Sequence, residues 1–344
     1  MYSARLERVM KKKLSIKEIA EIAGVSVATI SRVMNQNGGY SAETEQKVWE
    51  VVKAHDFVPN LMAKGLRTNK TPMVGIIIPD IVNEFYSKLV LQLQMILFEA
   101  GYLTTICNTN ESSELEQQHV QALFAQNVSG LILISGSSYN ERAEYARVPT
   151  VYIDRRPQQW DKGIIYVESD NVQGGYEATK ELLDCGCKRI AFMTDMLCES
   201  SKTYRYEGYC KALAEAEIPV DPSFVMRVEQ VKIEAAKEVV TAALKRKMKF
   251  DGIMCTTDML AIGSIIAIRE AGLQIPRDIK ITGFDDVSAT TIMNPTVTTV
   301  HQHSNQMTEA VAEILIGLME GEMIEKQRYC IPITLLKRES TRGK

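Results

Sequence analysis

"GVSVATISRVMN", Gly24 to Asn35, decides how the first part of this chain folds. A glycine able to turn the backbone sharply precedes Ser26, a residue suited to cap a helix, and Ile30 and Val33 then recur one turn apart. The outer side is left with Val27, Ala28, Thr29, Ser31 and Arg32, and no acid among them. Solvated helices ordinarily mix both charge signs. A face of small side chains with one arginine instead suits a large polyanion, whose phosphates repel carboxylates.

Residues 1–58 read as three short helices around this stretch. Ser15 caps the first, with Glu18 three residues on completing a capping box, and Ile16, Ile19, Ala20 and Ala23 form its apolar stripe. Gly24 ends that helix, Ser26 caps the second, and Ser41 caps the third, whose core face is Val48, Val51 and Val52. Small Ala20 allows close approach and Val25 fills the corner, a pattern that fits a helix-turn-helix. Such a unit lays its second helix in the DNA major groove. Arg32 suits guanine O6 and N7 or a phosphate, and Val27 and Ala28 suit thymine methyls. Ser26, Thr29, Ser31 and Asn35 suit phosphate contacts. Taken alone, the segment also fits a plain helical hairpin.

Charge supports the first reading. The 344-residue chain carries a net charge of −3, yet residues 1–70 hold 12 Lys and Arg against 7 Asp and Glu, a balance of +5 that leaves −8 on the rest. A basic head on an acidic body suggests that the head alone meets a polyanion. The seven cysteines are odd in number and scattered, so they read as free thiols of a reducing compartment, and Cys185-Gly-Cys187 has no second pair at zinc spacing. "MYSARLERVMKKK" lacks the apolar core of a secretion signal, and no apolar run approaches the ~18 residues that span a bilayer. A cytoplasmic protein with no membrane partner is expected. The natural start is expected at Met10, because residues 1–9 contribute no core position.

From Met73 the pattern changes. "MVGIIIP", "LTTICN", "GLILIS", "PTVYID", "RIAFMT", "DGIMCTTD" and "KITGFDD" are short β-branched runs, most of them separated by helical stretches such as Glu84–Ala100, Leu115–Gln126, Val172–Asp184, Ile233–Lys245 and Met259–Ala271. Strands alternating with helices predict parallel sheets covered on both faces. The run is long enough for two similar lobes. Between the helices and this region, Phe57–Thr71 reads as a linker with one helical turn started by Pro59.

These stretches together resemble the lactose-repressor (LacI/GalR) family of bacterial transcription regulators. The resemblance rests on "LSIKEIAEIAGVSVATISRVMN", "VPNLMAKGLRTNKT", "VGIIIPDIVNEFYSKL", "VYIDRRP", "RYEGYCKAL", "TTDMLAIGSIIAIREAGLQIPRDIKITGFDD" and "PTVTTV", and runs from about Leu14 to Leu336. It implies an α/β protein with a three-helix headpiece (1–58), a hinge helix (59–71) and a two-lobed effector domain like a periplasmic sugar-binding protein (72–344). Lobe 1 is expected over about 72–167 and 302–330, lobe 2 over about 168–301 and 331–340. The family's base-reading positions fall on Val27, Ala28 and Arg32, and its hinge on Pro59–Arg67, where Asn60, Lys64 and Leu66 are implied to meet DNA and Leu66 to wedge into the minor groove. Lys64 replaces a frequent arginine, and Gly65 weakens the helix by ~1 kcal/mol.

Effector-binding positions fall on Tyr86, Asp154, Arg155, Arg205, Thr257 and Asp285. Asp285 ends the run "KITGFDD", where parallel-sheet proteins place binding groups, and Arg205 offers a fixed cation with five donors. Taken without the resemblance, Asp286 also reads as a helix cap and Arg205 as a surface ion pair. Thr257 stands where relatives often have an asparagine, and Glu199 near the anion-reading arginine of some relatives. The first departure means that the specificity of sugar-responsive relatives does not transfer; the second favours a neutral, hydroxyl-rich ligand, sugar-like, with a purine or nucleoside corepressor as the alternative.

Rival readings lose features they need. No Gly-x-Gly-x-x-Gly, Gly-x-Ser-x-Gly or Walker loop appears, so no enzyme is indicated. His301-Gln-His303 reads as a strand end near a lobe crossover, not a metal site; no cofactor and no metal is expected. A transport binding protein needs a secretion signal and has no use for a basic headpiece. The expected partners are a palindromic operator, a small-molecule effector and a second copy of the chain. A dimer rather than a tetramer is expected, since no leucine heptads follow "IPITLLKRESTRGK".

Overall fold

A computed structural model of the chain describes residues 14–34, 38–55, 57, 71–134, 148–156, 164–196 and 200–342. The chain divides into two units, Met1–Asn69 and Lys70–Lys344.

In the first unit, α1 (Ile16–Ala23) opens with the expected capping box: Ser15 Oγ accepts from the Glu18 amide while the Glu18 carboxylate accepts from the Ser15 amide. Gly24 closes it at φ 64°, a conformation costly for any residue with a Cβ. The amide of Val25 then bonds the Ala20 carbonyl at 3.0 Å, which fixes the turn into α2 (Val27–Met34). The third helix, α3 (Ala42–Ala54), starts at Ser41, whose hydroxyl accepts from the Thr44 amide. Ile19, Ala20, Ala23, Ile30, Val33, Val48 and Val52 form the core, with Val51 only half-buried.

The second unit contains two six-stranded sheets. Sheet 1 uses β1 (Thr71–Ile78), β2 (Leu103–Asn108), β3 (Val128–Leu133), β4 (Thr150–Ile153), β5 (Ile165–Ser169) and β11 (Arg328–Ile331), in the order β11-β5-β4-β3-β1-β2. It is flanked by α4 (Glu84–Glu99), α5 (Ser113–Ala125) and α11 (Ser304–Glu320). Sheet 2 uses β6 (Ile190–Asp195), β7 (Val225–Val228), β8 (Gly252–Cys255), β9 (Lys280–Phe284), β10 (Thr298–Gln302) and β12 (Ile333–Leu336), in the order β12-β10-β9-β8-β6-β7. Its helices are α6 (Asn171–Asp184), α7 (Ser200–Glu215), α8 (Ile233–Lys245), α9 (Asp258–Glu270) and the single turn α10 (Ala289–Ile292).

All pairs are parallel except β10 with β12, which is antiparallel and departs from two purely parallel sheets. The exception follows from chain path: β12 enters directly after β11 across Pro332, with no crossover helix to reverse its direction. Three crossovers join the sheets, after β5, after β10 and between β11 and β12. Ser169 and Ile331 pair with each other in sheet 1, so those two crossings fall one or two residues later than the lobe limits read from the sequence. Sheet 2 likewise keeps Gln302, paired with Ile333, and His303 precedes α11, which puts the His301-Gln-His303 run at a strand end.

Candidate functional site

Ala28 and Arg32 stand exposed on α2. Ser26 Oγ accepts from the Thr29 amide at 3.0 Å and lies 2.9 Å from Thr29 Oγ1, so the two hydroxyl side chains share one bonded cluster at the start of the helix. Ser31 is half-buried. Val27 departs from the outward placement read from the sequence: it is half-buried and packs on the headpiece core. The reason is spacing, since Val27 lies three residues before Ile30 and shares its flank of the helix. Asn35, Asn60, Lys64 and Leu66, with the hinge Pro59–Arg67, lie outside the described residues.

In the second unit the carboxyl ends of both sheets bring charge together. Lobe 1 supplies Tyr86 from the first turn of α4, Glu111 from beyond β2, and Asp154 and Arg155 from the end of β4. Arg155 grips Glu111 with two bonds, 2.7 and 3.0 Å, and donates to Tyr86 Oη at 2.7 Å. Burial pushes the Glu111 carboxyl up, but the bonds and charge of Arg155 outweigh it and hold that group below the ordinary range. Asp154 sits at φ 67° and is 3 % exposed, and its Oδ1 has no hydrogen-bond partner among the described residues. Burial raises its carboxyl against the pull of Arg205 and Arg155.

Lobe 2 answers with Asp195, Lys202, Arg205, Thr256, Thr257, Asp285 and Gln302. Arg205 is 3 % exposed; its Nε donates to Asn171 Oδ1 at 2.8 Å, its Nη1 to the Thr256 carbonyl at 2.5 Å, and Asp285 Oδ1 lies 3.9 Å away. The guanidinium lies 3.6 Å from the Phe284 ring centroid. Two glycines make this seating possible. A Cβ on Gly175 would fall 2.1 Å from the Arg205 carbonyl oxygen and one on Gly208 would fall 2.1 Å from that of Val172, so α6 and α7 touch backbone to backbone. Lys202 pairs with Asp195, both nearly buried.

Asp285 receives a 2.8 Å bond from Gln302 Nε2 and sits at φ 113°. Burial pushes its carboxyl up to about 7 against the pull of Arg205, with the charge of Asp154 adding to the rise. Behind it, Asp258 accepts from Thr299 Oγ1 at 2.6 Å and from the Val287 amide at 2.9 Å; burial and the neighbouring Asp285 raise its carboxyl well above the usual range. Thr257 spends its hydroxyl on capping α9, accepting from the Leu260 amide. Asp286 is no helix cap: its carboxylate bonds Arg338 Nη2 at 2.6 Å and His301 Nδ1 at 2.9 Å.

The structure thus gathers Tyr86, Asp154, Arg155, Arg205 and Asp285, and adds Glu111, Asn171, Asp195, Lys202 and Gln302. Glu111, Asp195 and Gln302 were open to discovery, since they sit at or just beyond the carboxyl ends of β2, β6 and β10. Asn171, two residues beyond the end of β5, carried the same signal, whereas Lys202, which reaches the site from the first turn of α7, carried none. No group of His, Cys, Asp and Glu suited to a metal ion occurs among the described residues, and no helix there is long and apolar enough to cross a membrane.

The model of the lacI family of bacterial regulatory proteins matches residues 15–60, and that of the periplasmic binding protein-like domain matches residues 179–341. An HTH-type transcriptional regulator, RegA, of Clostridium saccharobutylicum is 33 % identical over 331 residues, covering 95 % of this chain and 99 % of its own length. A ribose operon repressor of Halalkalibacterium halodurans is 32 % identical, covering 96 % of this chain and 97 % of its own length. Among solved structures, the Lac repressor bound to ONPG in the repressed state superposes with a TM-score of 0.85 at 25 % identity, covering 96 % of this chain and 100 % of that one.

Proposed function

Because the chain belongs to the lacI family of bacterial regulatory proteins, we propose that its first unit reads an operator and its second senses a small, hydroxyl-rich molecule held between the two sheets. It is a ligand-responsive transcriptional regulator of repressor type. The observation that carries the effector reading is the meeting of buried charged side chains at the carboxyl ends of both sheets, Asp154 and Arg155 of one lobe and Arg205 and Asp285 of the other, with the Arg156 amide bonded to Ser200 Oγ across the gap at 2.8 Å. Unpartnered acceptors buried there, Asp154 Oδ1 and Asp195 Oδ1, favour a ligand rich in donors. A sugar meets that description, and the Halalkalibacterium relative is named for the ribose operon. On this reading the protein works in the cytoplasm, and effector and operator binding are coupled reciprocally, typically by ~1–3 kcal/mol.

A thermal-shift screen against pentoses, hexoses and nucleosides tests this. A true effector at ~100 times its dissociation constant adds ~2.7 kcal/mol of stability and changes operator affinity when titrated. A screen in which every stabilising compound leaves operator affinity unaltered overturns the reading.

We further propose that the working form is a dimer on a palindromic site. Leu91, Met95 and Phe98 lie on one face of α4 and are 58 %, 59 % and 67 % exposed. Sedimentation at micromolar concentration should give a dimer, and Phe98→Glu a monomer. A parent chain that sediments as a monomer or tetramer refutes this.

A further inference from the structure

Among the described residues, hydrogen bonds join the lobes at two points, and each point lies beside a site residue on both sides. Glu84, two residues before Tyr86 at the start of α4, reaches across to Ser288, three residues beyond Asp285. Its carboxylate accepts from the Ser288 amide at 2.9 and 3.0 Å and from the Ser288 hydroxyl at 2.6 Å. At another point the amide of Arg156, next to Arg155, donates to Ser200 Oγ at 2.8 Å, and the Arg156 guanidinium lies 4.5 Å from the Tyr204 ring centroid, beside Arg205.

The loop that Glu84 holds is unusual. Asp285 and Asp286 both have positive φ, 113° and 55°, a conformation that L-residues adopt at a cost and keep only where neighbours enforce it. Inside lobe 2 the Val287 amide is fixed by Asp258. The next amide, that of Ser288, is fixed from lobe 1 instead. One turn of chain is therefore anchored to both lobes at successive residues.

We infer that Glu84 and Ser288 form a positioning pair that couples lobe closure to the placement of Asp285 in the effector site. The inference rests on the effector-site reading above. When the lobes part, Ser288 loses its acceptor while Val287 keeps its own, and the backbone at Asp285 loses the outer of its two anchors. Closing and assembling the site become one event, and a ligand that bonds Asp285 favours the closed arrangement through differential contact with the two states. Lys88, bonded to Glu84 at 2.7 Å, keeps the carboxylate aimed along the rim.

Amide hydrogen exchange on the full chain, with neither effector nor DNA, tests this independently of the ligand's identity. Glu84→Ala should speed exchange at the Ser288 amide by about tenfold, the loss expected for a charge-assisted bond, and leave Val287 within about twofold. Glu84→Gln, whose side-chain oxygen still accepts, should restore most of the protection. In parallel, the Asp285 carboxyl titration, followed by NMR and assigned with Asp285→Asn, should move down toward the ordinary carboxylate range in Glu84→Ala as water enters. Unchanged exchange at Ser288, equal acceleration at Val287, or an unmoved Asp285 midpoint each overturns the coupling. None of these results depends on operator binding, so failure here is distinguishable from failure of the regulator reading, which the effector screen and operator titration decide.

Discussion

The two units treat polar side chains in opposite ways. In the headpiece, Ala28 and Arg32 project from a helix whose stability comes from a small apolar core and from serine caps at its neighbours' starts. In the effector body, Arg155, Lys202 and Arg205 are each less than a tenth exposed and each is bonded to partners within the protein. A surface that reads DNA keeps its donors outside because the partner is large and supplies the desolvation only on binding. A site for a small molecule must be prearranged, and the neighbours that prearrange it also perturb its charges.

The contrast is sharpest for Arg205→Ala. Removing the cation leaves Asp154 and Asp285 buried together without it, and breaking such a set costs ~3–5 kcal/mol. Calorimetry should show the body melting far lower with effector response lost, while the isolated fold of the headpiece keeps its helicity. If the body's transition is unmoved, the buried set does not behave as a network.

The next effect is pH dependence. The Asp285 carboxyl lies near 7 in the folded body, above its unfolded value. The stability tied to this group is therefore fully present below ~4 and is lost as pH rises through ~7. Between pH 5 and 8 that loss is about 2–3 kcal/mol. Asp154 and Asp258 shift in the same direction. The measurement is thus a difference: Asp285→Asn should lose part of the alkaline fall in melting temperature that the parent shows. Parallel curves for the two chains contradict it.

Arg32→Ala comes third. It should remove ~1–3 kcal/mol of discrimination between operator and random DNA at fixed salt, with both melting transitions unmoved. A retained specificity ratio would take Arg32 out of the base-reading set. Smallest is Ser15→Ala, which removes one half of a capping box and should lower headpiece stability by ~1 kcal/mol, leaving the body's transition in place.

The same contrast governs what could be read in advance. The headpiece features that were legible depend on residues within five positions of each other: the Ser15–Glu18 box, the Gly24 turn, the Val25 bond to Ala20. Val27 reads as outward-facing in the sequence, yet its burial follows from an equally local spacing, three residues before Ile30 on the flank that packs on the core. In the body, the long strands and helices were legible from β-branched runs and helical periods. Strands β5, β7, β11 and β12 were not among those runs; β7, β11 and β12 are four-residue edge strands, too short to carry a long apolar run.

Local chemistry in the sequence therefore determined the helix-turn-helix, the alternation of strands and helices, and the polar residues that close the strand ends. Only the tertiary structure decided which charges meet. Arg155 finds Glu111 across 44 residues, Arg205 finds Thr256 across 51, and Glu84 finds Ser288 across 204. Such pairings depend on sheet order and on the backbone contact that Gly175 and Gly208 allow between α6 and α7. Caps and periods act over a turn or two of chain, whereas a buried charge takes its partner from whichever strand end or helix the packed sheets bring within reach.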